Sequence, residues 1–261
     1  MNEAELLFTQ ALGCDRLALY LNKHKYLGQD EAAFISSALS RRIKGEPLQY
    51  ILGKAEFMGL EIEVNPDVLI PRPETEILAA RALEYAKQEQ ARDVLDLGTG
   101  SGCIAVALAK HLTGLKLDAS DISDRALAVA ARNALAHGVN IHFIRSDLFA
   151  ALSCGKYDMI VSNPPYIVSA QIRKLQPELS YEPVLALAGG ADGLNFYRRI
   201  IPGAPDYLKK NGLLIMEIGL GQRPAIEKIF LDAGKFELTE VIKDYNNVER
   251  VLVARKADQD G

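Results

Sequence analysis

Two short stretches carry residue types and spacings that chemistry demands. The first is Asp96-Leu97-Gly98-Thr99-Gly100-Ser101-Gly102. It follows an apolar run and opens a helical pattern, the place where nucleotide-like ligands bind in an open sheet. Glycines there let the backbone turn tightly and approach a ligand closely. No Lys follows at phosphate-loop spacing, and Cys103 stands where a dinucleotide fingerprint has Gly or Ala. Asp121 lies at the spacing of a carboxylate that grips a ribose diol, two acceptor oxygens facing two hydroxyls. Asp147, in Ser146-Asp147-Leu148, follows a third strand end. It either meets an adenine amine across the same cleft or simply forms a turn. The second stretch is Asn163-Pro164-Pro165-Tyr166. A planar nitrogen with two hydrogens needs two acceptors in its plane if its face is to point at an electrophile. The Asn163 side-chain oxygen supplies one, and a carbonyl oxygen of the Pro164 region supplies the other. Pro164 and Pro165 remove competing N–H donors and fix φ, so the backbone is preorganised. Tyr166 offers a ring to stack on a flat amide or base.

The elements that must position these residues fall into two parts, 1–70 and 71–261. The first reads as helical over 3–12, 15–23 and 30–44. In the last, Ile35, Leu39 and Ile43 recur at helical spacing, Asp30 caps and Gly45 ends the helix. Such short helices must pack on one another to be stable. A β-hairpin linker follows, with strands over 55–58 and 60–64 hinged at Gly59. Pro71 and Pro73 stiffen the next segment. Pro73 with Glu74 and Glu76 starts a helix that runs to about residue 90.

From residue 92 the rhythm is strand, helix, strand. Strands are expected over 94–97, 115–121, 140–144, 159–162 and 213–218, and helices over 103–111, 124–137, 195–209 and 223–233. This alternation predicts an α/β fold with a mostly parallel sheet covered on both faces. The connection between strands 236–243 and 250–254 is too short for a crossover helix, so the last strand is expected to be antiparallel. The polar tail over 256–261 is expected to fray.

The chain has 261 residues, 49% of them apolar and 25% charged, the balance of a soluble globular protein. Thirty basic against 34 acidic residues give a net charge of −4, which argues against a sequence-indifferent polyphosphate binder. Cys14, Cys103 and Cys154 form no Cys-x-x-Cys pair, so neither a disulfide framework nor a zinc ribbon is supported. His24, His111, His137 and His142 show no metal-ligand spacing and read as surface or packing residues. The first residues lack the pattern of a signal peptide, and no apolar run is long enough to span a bilayer. Together these features describe a soluble protein of a reducing compartment.

The glycine loop with Asp121 resembles the class I S-adenosylmethionine methyltransferases, and Asn163-Pro164-Pro165-Tyr166 narrows this to methylation of an amino nitrogen. Three further segments resemble one subfamily: Gly45-Glu46-Pro47-Leu48-Gln49-Tyr50-Ile51-Leu52-Gly53, Leu69-Ile70-Pro71-Arg72-Pro73-Glu74-Thr75-Glu76 and Gly189-Gly190-Ala191-Asp192-Gly193-Leu194. It is the protein-(glutamine-N5) methyltransferases that act on peptide chain release factors. The resemblance implies a Rossmann-like class I methyltransferase domain with a small N-terminal helical domain that helps recognise the partner. It implies S-adenosyl-L-methionine as cofactor. Gly98, Thr99, Gly100, Ser101 and Gly102 would cradle its methionine part, Asp121 its ribose, and Asp147 and Leu148 its adenine. Asn163 would lie beside the cofactor, and Asn163, Pro164, Pro165 and Tyr166 would hold the glutamine amide of a Gly-Gly-Gln tripeptide. Ser120 departs from the small apolar residue usual before the ribose Asp, and Glu249-Arg250 from a commoner Asp-Arg. The expected enzyme is a cytoplasmic monomer with no stable nucleic-acid or membrane partner.

The same tetrapeptide would serve a DNA or RNA adenine-N6 methyltransferase, since an exocyclic amine poses the same geometric problem. Such an enzyme must extract its base or take single strands. The acidic net charge and a small, unremarkably charged N-terminal part count against it. A non-catalytic adaptor is disfavoured by the intact tetrapeptide. Arg72 reads as a pin for the linker or a structural ion pair. Glu217 ends a strand facing the same rim but reads first as an edge carboxylate, and Arg41, Arg42 and Lys44 read first as a solvated helix end and otherwise as a small basic patch for RNA or an acidic protein.

Overall fold

In the computed structural model, which describes residues 2–21, 24, 26–174 and 176–258, four helices form the N-terminal part: α1 (Glu3–Leu12), α2 (Arg16–Leu21), α3 (Gln29–Ile43) and α4 (Leu48–Leu52). The expected end of α2 at Lys23 lies outside the described residues. Asn2 caps α1: its side chain accepts from the Glu5 N–H at 2.8 Å, and the Glu5 carboxylate accepts from the Asn2 N–H at 3.2 Å. Leu7, Ile35, Ala38 and Ile51 bury one another between these helices. The cap of α3 is Gly28, whose N–H donates to the Glu31 carboxylate, and not Asp30. Asp30 sits in the first turn, where its charge suits the helix dipole. Helix α4 is unanticipated. Five residues between Pro47 and Gly53 are too few to show a helical period.

Strands β1 (Lys54–Phe57) and β2 (Leu60–Glu63) pair antiparallel. Met58 (φ 50°) and Gly59 (φ 75°) both adopt left-handed backbone, the turn whose twist matches a hairpin. Phe57, Ile62, Val64, Val68 and Ile70 point into the main core, against α5 (Pro73–Gln88). The hairpin tip is tied to that helix by the Met58 N–H, which donates to Glu76 at 2.7 Å.

The main sheet contains β3 (Asp93–Leu97), β4 (Lys116–Asp121), β5 (His142–Arg145), β6 (Tyr157–Ser162), β7 (Leu208–Glu217), β8 (Phe236–Lys243) and β9 (Glu249–Lys256). Its order is β5-β4-β3-β6-β7-β9-β8. Strands β5 to β7 are parallel along this order, and β9 runs antiparallel to both neighbours. The expected antiparallel last strand is therefore present. The central strands are buried almost without interruption because both their faces are covered. Helices α5, α6 (Cys103–His111) and α7 (Asp124–Ala136) cover one face. The short helix α8 (Val184–Leu187) lies in the long segment after β6, and α9 (Tyr197–Gly203) and α10 (Arg223–Ala233) cover the other face.

The helix expected over 195–209 is shorter than its sequence pattern. Pro202 gives no N–H to the helical ladder, α9 ends at Gly203, and Pro205 falls in a 3-10 turn over Ala204–Asp206. Strand β7 starts at Leu208, five residues before the expected start at 213. It reaches its partner β6 through a bulge that skips the polar residues 209–212. At the C-terminus Lys256 and Ala257 are not frayed. The Ala257 N–H donates to the Lys235 carbonyl at 3.0 Å, and the Lys256 ammonium donates to the Pro205 and Leu208 carbonyls. The rest of the expected frayed tail, 259–261, lies outside the described residues. Among the described residues no helix is long and apolar enough to cross a membrane.

Candidate functional site

The sheet delivers one chemically equipped residue at the end of each parallel strand. The chain leaves β3 into residues 98–102, β4 ends on Asp121, β5 leads into Ser146-Asp147, β6 into Asn163, and β7 ends on Glu217. Strand order reverses between β3 and β6, and in open sheets ligands bind in the crevice at such a point. A cavity of about 300 Å³ lies there. Gly98, Thr99, Gly100, Ser101, Asp121, Asp147, Leu148, Asn163, Pro164 and Pro165 all line it. Of the expected cofactor residues only Gly102 is set back. A Cβ on it would stand 2.9 Å from the Ala130 Cβ, so this glycine serves the packing of α6 on α7. Tyr166 lines a second cavity, of about 450 Å³, which also reaches Arg42, Leu48 and Gln49 of the N-terminal part. Asn163, Pro164 and Pro165 border both cavities.

The glycine loop is fixed by its own backbone. The Gly98 and Thr99 N–H groups donate to the Ser120 carbonyl at 2.8 and 2.9 Å. Gly98 (φ 78°) and Gly100 (φ 56°) are left-handed, and a Cβ on either would meet no atom within 4 Å. They turn bare backbone toward open space, the cradle that a nucleoside-sized ligand needs. Asp121 accepts from the Gly100 N–H and the Ser123 N–H, each at 2.9 Å and each on a different oxygen. Each oxygen keeps a lone pair for a diol. Burial raises the Asp121 carboxyl above the ordinary range, and the backbone N–H groups of Ser123 and Gly100 oppose this. Under the loop, Asp96 accepts from Thr99 at 2.6 Å and from the Ala105 N–H at 3.2 Å on one oxygen. Its other oxygen has no partner among the described residues, and burial raises its carboxyl to about 7. Asn133 staples this loop to the hairpin: its amide donates to the Ser101 and Glu63 carbonyls and accepts from the Glu63 N–H at 2.7 Å.

The tetrapeptide is held by side chains from far away in sequence. The Asn163 amide donates to the Thr75 hydroxyl at 3.0 Å, and Thr75 donates to Glu217 at 2.7 Å. The Tyr166 hydroxyl donates to the other Glu217 oxygen at 3.2 Å. Gln222 donates to the Tyr166 carbonyl at 3.0 Å. The Gly-Gly-Ala-Asp-Gly-Leu segment packs its glycines on the same residue: a Cβ on Gly193 would stand 2.4 Å from the Tyr166 carbonyl oxygen, and one on Gly189 2.8 Å from its carbonyl carbon. Glu217 is 1% exposed, so it is a buried anchor and not an edge carboxylate. Burial raises it to about 7. Thr75, Tyr166 and Arg250 pull the other way, and Glu74 adds to the rise.

Two family models match the chain: "PrmC N-terminal domain" over residues 1–53 and "Methyltransferase small domain" over residues 75–178. Ribosomal protein L11 methylase from Lactobacillus delbrueckii subsp. bulgaricus is 26% identical and superposes with a TM-score of 0.55, covering 75% of this chain and 86% of that one. The release factor glutamine methyltransferase of Geobacter sulfurreducens is 46% identical over 254 residues, 97% of this chain and 88% of its own. That of Thermodesulfovibrio yellowstonii is 41% identical, covering 98% of this chain and 93% of its own. The chain belongs to the release factor glutamine methyltransferase family.

In this member of the family, three charged features are held by ion pairs. Asp147 lines the smaller cavity but also accepts from Arg199 at 2.8 Å, at a half-exposed position. Arg72 is ion-paired to the buried Glu182, which also accepts from the Ile70 N–H at 3.1 Å. Arg72 is thereby both a structural ion pair and a pin, holding the proline-rich linker against the wall of the larger cavity. Arg41 and Arg42 stay at the surface of the helix end, but as ion pairs: Arg41 with Glu46, and Arg42 with Glu3 and Glu178 at 3.1 Å. Three of the histidines make hydrogen bonds at the surface. His111 bonds the Ala107 carbonyl, His137 the Glu61 carbonyl and His142 Asp118, while His24 is exposed. All three cysteines are free, and among the described residues no cluster suits a metal. Sequence reasoning missed Thr75, Gln222 and Asn133 as parts of the site, and ranked a place for Glu217 at its rim below an edge carboxylate. Thr75 alone had a visible signal, inside the Pro-Glu-Thr-Glu stretch.

Proposed function

We propose that this chain methylates the side-chain amide nitrogen of the glutamine in the Gly-Gly-Gln tripeptide of peptide chain release factors, with S-adenosylmethionine as donor. The observation that carries the reading is the meeting of two cavities at Asn163, Pro164 and Pro165. One side is glycine-lined and closed by Asp121. The other opens toward the N-terminal helices, where a protein substrate has room. Gly98, Thr99, Gly100 and Ser101 form the cradle for the methionine part, with Gly102 packed behind them, Asp121 takes the ribose, and Asp147 and Leu148 flank the adenine.

The bound cofactor supplies an electrophilic methyl group on a sulfonium. Everything else is done by the chain. A carboxamide nitrogen is a poor nucleophile because its lone pair is delocalised. The Asn163 oxygen and the Pro164 carbonyl accept its two hydrogens, push density back onto nitrogen and turn its face to the cofactor side. Tyr166 stacks on the flat amide. Holding the nitrogen in line at attack distance lowers the barrier by several kcal/mol, on the order of what proximity supplies. No general base is needed before transfer, because the nitrogen proton becomes acidic only as the new bond forms. This agrees with four histidines that all sit away from the tetrapeptide's contacts. Residues 1–70 form the recognition part, and 71–261 the catalytic part. The enzyme works as a cytoplasmic monomer with no stable nucleic-acid partner.

The test is mass spectrometry of purified release factor and of adenine-containing oligonucleotides, each incubated with the enzyme and labelled donor. A label on the glutamine amide of Gly-Gly-Gln is expected. A label on adenine alone would replace this reading with nucleic-acid N6 methylation.

A further inference from the structure

Glu217 has no direct contact with the cavity between the glycine loop and the tetrapeptide, yet three of its neighbours depend on it. An asparagine side chain has two ends of nearly the same shape and opposite hydrogen-bonding character. As a substrate clamp, Asn163 works only with its oxygen facing the acceptor nitrogen. Its amide end must then face inward, toward Thr75 at 3.0 Å. A threonine hydroxyl does not choose between the two ends, because it both donates and accepts. A carboxylate that has lost its proton, as Glu217 has above about pH 7, does choose, because it only accepts. With the Thr75 proton committed to Glu217 at 2.7 Å, Thr75 presents only lone pairs to Asn163 and admits only the amide end. The second Glu217 oxygen commits the Tyr166 proton in the same way, at 3.2 Å. A third link holds Tyr197, whose hydroxyl donates to the Glu217 backbone carbonyl at 2.9 Å and so locks the strand end.

We propose that Glu217 is a positioning residue which, through Thr75, sets the direction of the Asn163 carboxamide and, through its other oxygen, the hydroxyl of Tyr166. The proposal rests on the reading of Asn163 as the acceptor clamp. Its reach is long in sequence, 142 residues from Thr75 to Glu217, and short in space. Glu217→Gln keeps the shape but adds a donor. Its donor end must then face either Thr75 or Tyr166: facing Thr75 it turns the Thr75 proton to Asn163 and the wrong end of Asn163 to the acceptor, and facing Tyr166 it removes the acceptor of that hydroxyl. Thr75→Val keeps the volume and removes the hydroxyl.

The test compares kcat, KM for release factor and Kd for S-adenosylmethionine across Glu217→Gln, Thr75→Val, their double variant, Thr75→Ser and Asn163→Ala. Both single relay variants are expected to lose about 10- to 100-fold in kcat, the scale of losing one preorganised polar group, with cofactor Kd within about threefold. Residues acting through one chain of contacts are non-additive, so the double variant should fall no more than about twofold below Thr75→Val alone. Thr75→Ser should restore most of what Thr75→Val loses. A merely structural Glu217 would lower the melting temperature and cofactor affinity instead, and its loss would multiply with that of Thr75→Val. Wild-type kcat in both single variants, or a double variant equal to the product of the singles, overturns the proposal. If Glu217→Gln does not fold, Thr75→Val and Thr75→Ser decide the matter. Near-normal turnover in Asn163→Ala would instead overturn the clamp reading itself, a result distinguishable from failure of the relay.

Discussion

Residues 98–101 of the glycine loop and residues 163–165 of the tetrapeptide line the same cavity, but the two segments are held in different ways. Residues 98–102 are fixed by backbone: positive φ at Gly98 and Gly100, and N–H groups bonded to the next strand. Residues 163–166 are fixed by side chains: Thr75 from α5, Glu217 from β7 and Gln222 before α10. A backbone cradle suits a cofactor that is the same in every turnover. A side-chain clamp sets hydrogen-bond direction, which is what separates a carboxamide from other flat groups. The cost also differs. Among the described residues the loop leaves one Asp96 oxygen without a partner, and the clamp buries a carboxylate whose charge burial disfavours.

The largest effect that separates the two regions should come from Asn163→Ala. Turnover should drop about a hundredfold or more, as on losing one preorganised acceptor, while calorimetry shows cofactor Kd within a few fold. Next comes the stability cost of the clamp. Burial raises Glu217 from 4.5 to about 7, so between those values the native carboxyl holds a proton that the unfolded chain releases. Stability from this group is thus present below pH 4.5 and lost as pH rises through 7. Glu217→Gln removes that loss. It should match wild type near pH 5 and exceed it at pH 8 by at most about 3 kcal/mol, from 1.36 kcal/mol per unit. Urea melts at the two pH values check this. On the cofactor side, Asp121→Asn should weaken cofactor binding about tenfold, the scale of a hydrogen bond to a charged group, and spare turnover at saturation. The smallest effect is Ser120→Ala. The buried Ser120 hydroxyl has no partner among the described residues, so removing it should raise stability by about 1 kcal/mol in a thermal melt.

The two regions also differ in how far they can be read from sequence. The glycine loop is legible because its geometry is local, with glycines in a row and Asp121 at a fixed spacing. The strands are legible because buried parallel strands are apolar runs, and the short link to β9 forces its direction. Residues 195–209 mislead because the apolar spacing of α9 continues past Pro202, where the backbone cannot. Residues 48–52 and 184–187 are too short to show a period. The supports of the tetrapeptide are hard to read in sequence for a different reason. Thr75 and Glu217 each look like ordinary helix-start and strand-end residues, and only the fold makes them neighbours. Even Glu217, at the end of an apolar strand, gives no sign of whether it faces solvent or core.

The most direct test is a paired measurement on Asn163→Ala and Asp121→Asn: cofactor Kd by calorimetry, and single-turnover methyl transfer to release factor at saturating cofactor. Division of labour predicts opposite outcomes, a rate loss at near-normal affinity for the first and an affinity loss at near-normal rate for the second. Equal loss of affinity in both variants, or an unchanged rate in Asn163→Ala, would contradict it.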